Sequence, residues 1–209
     1  MPGVSWPAAL RLLLAALSGW LLSFAFAPFG LWWLVPVAVA GLTLACTGVG
    51  AASGALVGLV GGLGFFLTLL DWMQVVGTDA WVGLAVLQAV FWAGLGAGLA
   101  VVAGLPGWPL WATGVWVLVE ALRSVVPWGG FPWGRLAHAL VDSPLLGFVH
   151  LGGVTLLSAI GATIGTLLAG LVLAVTRLDW RRGAGSVVLV AALVGVGAVS
   201  YTHLRAHET

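Results

Sequence analysis

The sequence predicts an all-α protein, a polytopic transmembrane helix bundle of about seven spans with its N-terminus inside the cell. Of the 209 residues, 62% are hydrophobic and only 6% are charged, whereas soluble domains carry about 25% charged residues. The 32 glycines and 13 tryptophans also fit a membrane protein, because glycine lets helices approach closely and tryptophan anchors at the headgroup level. The net charge of +1, without a basic stripe, argues against a nucleic-acid partner.

Seven apolar stretches approach or exceed the roughly 20 residues that a membrane-crossing helix requires. They predict spans over 8–27, 31–47, 50–70, 81–103, 108–125, 146–175 and 184–200. The sixth is long enough to tilt or to begin as an interfacial segment. Pro28 and Gly30 separate the first stretch from the second and predict a tight hairpin there.

The first stretch has a second interpretation, a cleaved signal peptide, because an apolar run after Arg11 ends in Ala25, Phe26 and Ala27. Pro28 follows directly, and six more apolar stretches come after it. A retained first span is therefore favoured.

The arginines predict the orientation. Arg177, Arg181 and Arg182 cluster between the sixth and seventh spans, and basic loops stay on the cytoplasmic side. Counting back along the spans places the N-terminus with Arg11 on the cytoplasmic side as well. The segment 126–145 is then predicted to face outward.

The transmembrane domain is predicted over 1–200, followed by a tail over 201–209 that is either foreign or a remnant of truncation. His203 and His207 in this tail are four residues apart, but two ligands are weak grounds for a metal site. The single cysteine excludes an internal disulfide and a multi-cysteine metal site. The sequence predicts no metal and no cofactor.

Glycines that recur every four residues predict smooth helix faces for close packing. A phosphate-binding loop is the weaker interpretation, because such a loop follows a strand and no strand pattern is visible. The glycines with this spacing are Gly50, Gly54, Gly58 and Gly62 in the third span, Gly94 and Gly98 in the fourth, and Gly161 and Gly165 in the sixth.

Glu120 and Arg123 are charged residues near the outer end of the fifth span, three residues apart on one helical face. Charges at membrane depth are costly and require an explanation. They either neutralise each other at the interface or provide a polar contact for a lipid headgroup or a neighbouring domain. Both interpretations stay open on sequence alone.

The segment from Pro127 to Arg135 combines three aromatic residues with two prolines and three glycines, which predicts a rigid, non-helical element at the outer interface. It either anchors the protein at the headgroups or lines an opening for an acyl chain, with Arg135 meeting a phosphate. Trp72 is expected on the same side. The predicted substrate-binding residues are Glu120, Arg123, Phe131, Pro132, Trp133 and Arg135.

No catalytic residue is predicted. Cys46 lies among apolar residues of the second span, without a neighbouring base or cation that would form a thiolate. Ser158 and Thr163 in the sixth span are expected to bond back to helix carbonyls. No Ser-His-Asp or paired-carboxylate arrangement can be assembled from the sequence.

Three motifs together resemble a known family: Phe26-Ala27-Pro28-Phe29-Gly30, Glu120-x-x-Arg123 and Gly130-Phe131-Pro132-Trp133, with Gly152-Gly153-Val154 and Leu157-Ser158 downstream. Over residues 8–200 the chain is similar to the N-terminal membrane part of apolipoprotein N-acyltransferase. The resemblance implies a multi-pass enzyme of the bacterial inner membrane. That enzyme moves an acyl chain from a phospholipid to the amino group of the lipid-modified N-terminal cysteine of an apolipoprotein.

In this family the reaction runs through a thioester on a cysteine of a Glu-Lys-Cys triad, in a nitrilase-like domain after the seventh span. This chain has no lysine, and its sole cysteine lies in the second span, so the triad cannot be transferred onto its residues. The expectation is a truncated member that lacks the catalytic domain and is inactive alone.

A small transporter or channel subunit is the alternative function, with Glu120, Arg123 and Asp142 lining a pathway. It would be marked by an internal repeat with interrupted helices in matching places, and the sequence shows none. A purely structural scaffold would leave the aromatic segment unexplained.

Overall fold

The computed structural model describes residues 6–176 and 180–206, with the side chains of 6–176 and 183–197. All regular structure in these residues is helical, so the predicted all-α class is confirmed. Short 3-10 turns cover Asp71–Val75 and Leu146–Phe148. The helices are α1 (Ala8–Ser23), α2 (Leu34–Cys46), α3 (Ala51–Leu69), α4 (Thr78–Val102), α5 (Trp108–Arg123), α6 (Leu136–Ala139), α7 (Val149–Thr176) and α8 (Trp180–Ala206).

Each of the seven predicted stretches overlaps one long helix, and the four-residue α6 was not predicted. Among the described residues, three helical segments are long and apolar enough to cross a membrane: Ala51–Leu69, Thr78–Val102 and Leu146–Thr176. Shorter apolar helices cover Ala8–Ser23 and Leu34–Cys46, and the part of α8 with described side chains, Gly183–Gly197, is apolar as well. The number of spans and the side of the N-terminus stay predictions.

The hairpin between α1 and α2 is wider than predicted, because α1 ends at Ser23 and α2 begins at Leu34. Pro28 has no N–H to continue a helix, and it disfavours helical backbone at the residue before it. The connection is closed instead by a hydrogen bond from the Leu31 N–H to the Phe24 carbonyl, 3.1 Å long.

Glycines hold α3 against α4 at backbone distance, as their spacing predicted. A Cβ on Gly58 would overlap the Trp92 carbonyl oxygen, and one on Gly54 would lie 2.5 Å from the Gly96 carbonyl oxygen. Gly62 meets α4 one turn further along. Two glycines do not pack as predicted. Gly50 precedes α3, and an added Cβ on Gly50 or on Gly94 of α4 would meet nothing within 4 Å.

At the end of the bundle opposite the α1–α2 connection, the Arg11 side chain binds the C-terminus of α2. Its Nη1 group donates to the carbonyl oxygens of Ala45 at 2.8 Å and Thr47 at 2.7 Å. These carbonyls lie where a helix has no further N–H groups to satisfy them, and a cation there also meets the negative end of the helix dipole. Arg11 is therefore a structural part of the bundle.

Helix α7 is interrupted near its start, where Gly152 and Gly153 have non-helical backbone angles. A regular helix follows the break, and this later part of the helix contacts α6. Thr163 bonds back to the Ala159 carbonyl at 2.7 Å, as predicted. The Ser158 hydroxyl instead accepts a hydrogen bond from the Ala137 N–H at 3.1 Å, which ties α6 to α7.

The predicted orientation can be tested with single cysteines in a Cys46→Ala background. Trp128 and Leu105 are 94% and 41% exposed and lie in connections at opposite ends of α5. We expect a membrane-impermeant thiol reagent to label Trp128→Cys in intact cells, and Leu105→Cys only after permeabilisation, because alternating connections lie on opposite sides. The reverse pattern would invert the topology. Arg177 lies outside the described residues, as do the side chains of Arg181 and Arg182.

Candidate functional site

The C-terminal turn of α5 carries two buried charges, Glu120 with 5% of its surface exposed and Arg123 with 1%. They share one face of the helix because they are three residues apart. Each has partners in the segment that follows α5. The structure therefore gives both charges a role in holding that segment.

Arg123 holds the aromatic segment through its backbone. The Nη1 group lies 2.9 Å from the Phe131 carbonyl oxygen and 2.6 Å from that of Trp133. It also lies 3.1 Å from Oε1 of Gln88 on α4. In return, the Phe131 N–H donates to the Arg123 carbonyl oxygen at 2.8 Å. The Phe66 ring lies below the guanidinium, with 5.1 Å between Cζ and the ring centroid.

Glu120 holds the start of α6. Its Oε1 accepts a hydrogen bond of 2.7 Å from the Leu136 N–H, and its Oε2 lies 3.5 Å from Nε of Arg135. Within the part of the chain that the structure describes, neither Oε2 nor this Nε has a hydrogen-bond partner, although both atoms are buried. The ion pair of Glu120 is thus with Arg135, while Arg123 bonds to the loop.

Arg135 extends from this pair to the surface, where its Nη2 donates to the Thr155 hydroxyl at 3.1 Å. Thr155 lies just after the break in α7. The Glu120–Arg135 pair therefore connects the end of α5 with the bent part of α7. The Nη2 end of Arg135 is accessible, whereas its Nε and the neighbouring Oε2 of Glu120 are buried.

The two tryptophans of the segment are exposed, whereas Phe131 is half-buried against the core. Phe131 and Trp133 have ring centroids 6.0 Å apart, and Trp133 lies 5.3 Å from Trp72, which confirms that Trp72 lies at the same end. Pro132, between the two anchored carbonyls, is exposed. Gly130 has a φ of 80°, and a Cβ there would overlap the backbone of Ser124, so this turn requires glycine.

Beside Trp133 lies a cavity of about 430 Å³, lined by Phe26, Ala27, Leu69, Trp72, Trp133, Gly134 and His138. It brings the motif after α1 into contact with the aromatic segment, which are about a hundred residues apart in sequence. Partial burial, followed by the positive charge of Arg135, lowers the pKa of His138 below its ordinary value. The cavity therefore has mainly apolar walls and one neutral imidazole.

The six predicted substrate-binding residues are brought together around one loop, in different positions. Trp133 lines the cavity, Phe131 packs against Trp133, and Glu120 and Arg123 lie behind the loop. Sequence reasoning missed Gln88, which is 1% exposed and accepts from Arg123. A single amide within the apolar α4 was a usable signal, because polar groups at such depth need partners.

The coupling of Glu120 to Arg135 can be measured in a double-mutant cycle with Glu120→Gln and Arg135→Gln. We expect both single changes to lower the free energy of unfolding in detergent micelles, and the double change to lower it by about 1 kcal/mol less than their sum. The glutamine at 120 still accepts from the Leu136 N–H, so the cycle reports the charges. Additive changes would show that the two charges act independently.

Other chemistry is sparse in the described residues. Cys46 is buried and free of disulfide bonding. The residues that the structure describes contain no group of three His, Cys, Asp or Glu side chains that could hold a metal ion. His207 lies outside these residues, and the structure does not describe the side chain of His203.

Comparison with known proteins identifies the family. The model of the apolipoprotein N-acyltransferase N-terminal domain matches residues 18–167. Among curated relatives, the apolipoprotein N-acyltransferase of Mycolicibacterium smegmatis is 38% identical over 174 residues, covering 81% of this chain and 29% of the relative. Those of Ralstonia nicotianae and Chromobacterium violaceum are each 34% identical over 90% of this chain, and cover 39% and 37% of the relatives.

This chain thus spans 29% to 39% of the length of these relatives. The matched region contains all three motifs, which include the buried charges and the aromatic segment. The chain belongs to the apolipoprotein N-acyltransferase N-terminal domain family.

Proposed function

We propose that this chain is the membrane portion of a bacterial apolipoprotein N-acyltransferase, embedded in the inner membrane by several spans. The full reaction would transfer an acyl chain from a phospholipid to the N-terminal diacylglyceryl-cysteine of an apolipoprotein. Family membership and the names of the curated relatives support this function. The three long apolar helices support the membrane location.

One observation carries the proposed role of the site: Arg123 holds a tight aromatic loop at the rim of the cavity. Trp133 contributes a wall of the cavity, and Phe131 and Pro132 form the adjoining surface. An aromatic wall of this kind suits acyl and glycerol carbons. The loop would therefore admit a phospholipid from the outer leaflet.

The charged residues divide into two roles in this proposal. Glu120 and Arg123 are positioning residues, since their polar atoms are directed at the loop and at α6. Arg135 has an accessible end, which could contact a phosphate. Asp142 is exposed and Arg123 is engaged by backbone carbonyls, an arrangement that favours a fixed loop over a transporter pathway.

The lipid-access role is tested in a full-length relative that has the same residues at these positions. Trp133→Ala is expected to reduce acyl-enzyme formation at least about tenfold, since it removes one wall of the cavity. Trp128→Ala is the matched control, because Trp128 lies in the same loop but is 94% exposed and does not line the cavity. Equal acylation by both variants at normal protein levels would reduce the loop to an interface anchor.

The chain alone is expected to show no acyl transfer from phospholipid to a diacylglyceryl peptide. A thioester mechanism needs an accessible thiolate, and Cys46 is fully buried in α2. The assay uses the purified chain with Cys46→Ala as the comparison. Turnover that disappears in the variant would show that Cys46 is a nucleophile.

A further inference from the structure

We propose that His138 recognises the phosphodiester group of the phospholipid that occupies the aromatic cavity, and so distinguishes phospholipids from neutral acylglycerols. This inference rests on the proposed lipid-access function and adds a specificity-determining residue to it. The ligand is an amphiphile whose carbons contact the aromatic wall and whose phosphate meets the imidazole.

The chemistry of the cavity wall points to such a ligand. Phe26, Leu69, Trp72 and Trp133 make most of the lining apolar. Among the lining residues, only His138 has a side chain with strong hydrogen-bonding capacity at both of its polar atoms. A ligand that fills this space and also satisfies the imidazole needs one polar group beside an apolar body.

The imidazole is available for that group. In the described part of the chain its ring atoms make no hydrogen bond, while the His138 N–H of the backbone bonds to Arg135. The neighbouring residue Gly134 has a φ of 77°, and a Cβ there would press on Phe65 and Leu69. Glycine therefore lets the chain between Trp133 and His138 pack directly against Phe65 and Leu69.

The charges around His138 favour an anion. Arg135, Glu120 and Arg123 all act on the imidazole electrostatically, which leaves one positive charge in excess among these three. Partial burial and Arg135 lower the pKa of His138, so the ring is neutral near pH 7 and still has one N–H to donate. A phosphodiester carries one negative charge and accepts this hydrogen bond, whereas a diacylglycerol offers no such charge.

The test measures lipid competition on the purified chain in detergent micelles. The reporter is a phosphatidylglycerol with a diazirine in one acyl chain, and its cross-links are mapped by mass spectrometry to the peptides that contain Leu69 and Trp133. The competitors are dioleoyl phosphatidylglycerol, dioleoylglycerol and glycerol 3-phosphate. In the unmodified chain we expect phosphatidylglycerol to compete at about tenfold lower concentration than dioleoylglycerol.

Three variants isolate the contribution of the imidazole. His138→Phe is expected to remove the tenfold advantage of phosphatidylglycerol while competition by dioleoylglycerol is unchanged. His138→Gln keeps a donor and is expected to keep most of the advantage. His150→Phe is the matched control, because His150 is exposed on α7 and does not line the cavity. If His138→Phe does not fold, His138→Leu replaces it.

Each other outcome overturns a stated part of the proposal. An advantage that persists in His138→Phe, or an equal loss of both lipids, would remove the phosphate role and leave the lipid-access function intact. Competition by glycerol 3-phosphate as strong as that of the phospholipid would make this a site for free phosphates. The absence of mapped cross-links in the unmodified chain would overturn both the His138 role and the lipid-access function.

Discussion

Arg123→Ala is expected to lower the free energy of unfolding by about 3 kcal/mol and to release the aromatic segment from the end of α5. The substitution removes the donor for the Phe131 and Trp133 carbonyls and for the Gln88 amide oxygen. Removing one side of a buried charged network is costly because the remaining polar groups stay desolvated. Thermal unfolding in micelles measures the first effect, and limited proteolysis between residues 124 and 135 measures the second.

Two further substitutions test whether the loss of stability comes from the hydrogen bonds of the Arg123 guanidinium. Arg123→Lys keeps the charge but replaces the planar group by a compact ammonium, and we expect an intermediate loss. Leu122→Ala is the control on the same helical turn, since Leu122 is 44% exposed, and a loss below about 1 kcal/mol is expected. Equal stability of Arg123→Ala and Leu122→Ala would contradict the anchoring role.

Gly58→Ala is expected to destabilise the bundle by about 2 to 3 kcal/mol, because its Cβ would overlap the Trp92 carbonyl and force α3 away from α4. Backbone atoms cannot move aside as a flexible side chain can. The matched control is Gly94→Ala on α4, where nothing lies within 4 Å of an added Cβ. That change should be neutral or stabilise by up to about 1 kcal/mol, from helix propensity alone.

The expected difference in stability between the two variants makes the measurement decisive, because both replace a helical glycine by alanine. Unfolding of the two variants and the unmodified chain in the same detergent gives the comparison. Similar effects at the two positions would mean that close packing of α3 on α4 does not limit stability.

The long helices were predictable because apolar runs and glycine spacing are carried by the residues themselves. Their ends were less predictable: α1 stops at Ser23, since the turn before Pro28 depends on backbone bonds of the connection. The position of Gly50 outside the α3 face was missed for the same reason, because the helix begins after it. Helix α6 has only four residues and too short a pattern to recognise.

The candidate site was predictable as a group of residues, but its bonding was not. Spacing placed Glu120 beside Arg123, whereas the ion pair joins Glu120 to Arg135. The main acceptors of Arg123 are backbone carbonyls, and every residue has one, so the sequence does not distinguish them. The cavity depends on the approach of Phe26 and Trp133, which only the packing of the helices determines.

The bonds from Arg123 to main-chain oxygens separate the course of the loop from its surface chemistry. The two anchored carbonyls belong to Phe131 and Trp133, but any residue in these positions would offer the same oxygens. The rings can therefore be exchanged while the anchor and its geometry are kept. Substitutions of these two side chains are therefore expected to change the surface of the loop without moving its backbone. Arg123 thus fixes the backbone of the loop, and the side chains at positions 131 and 133 determine its surface.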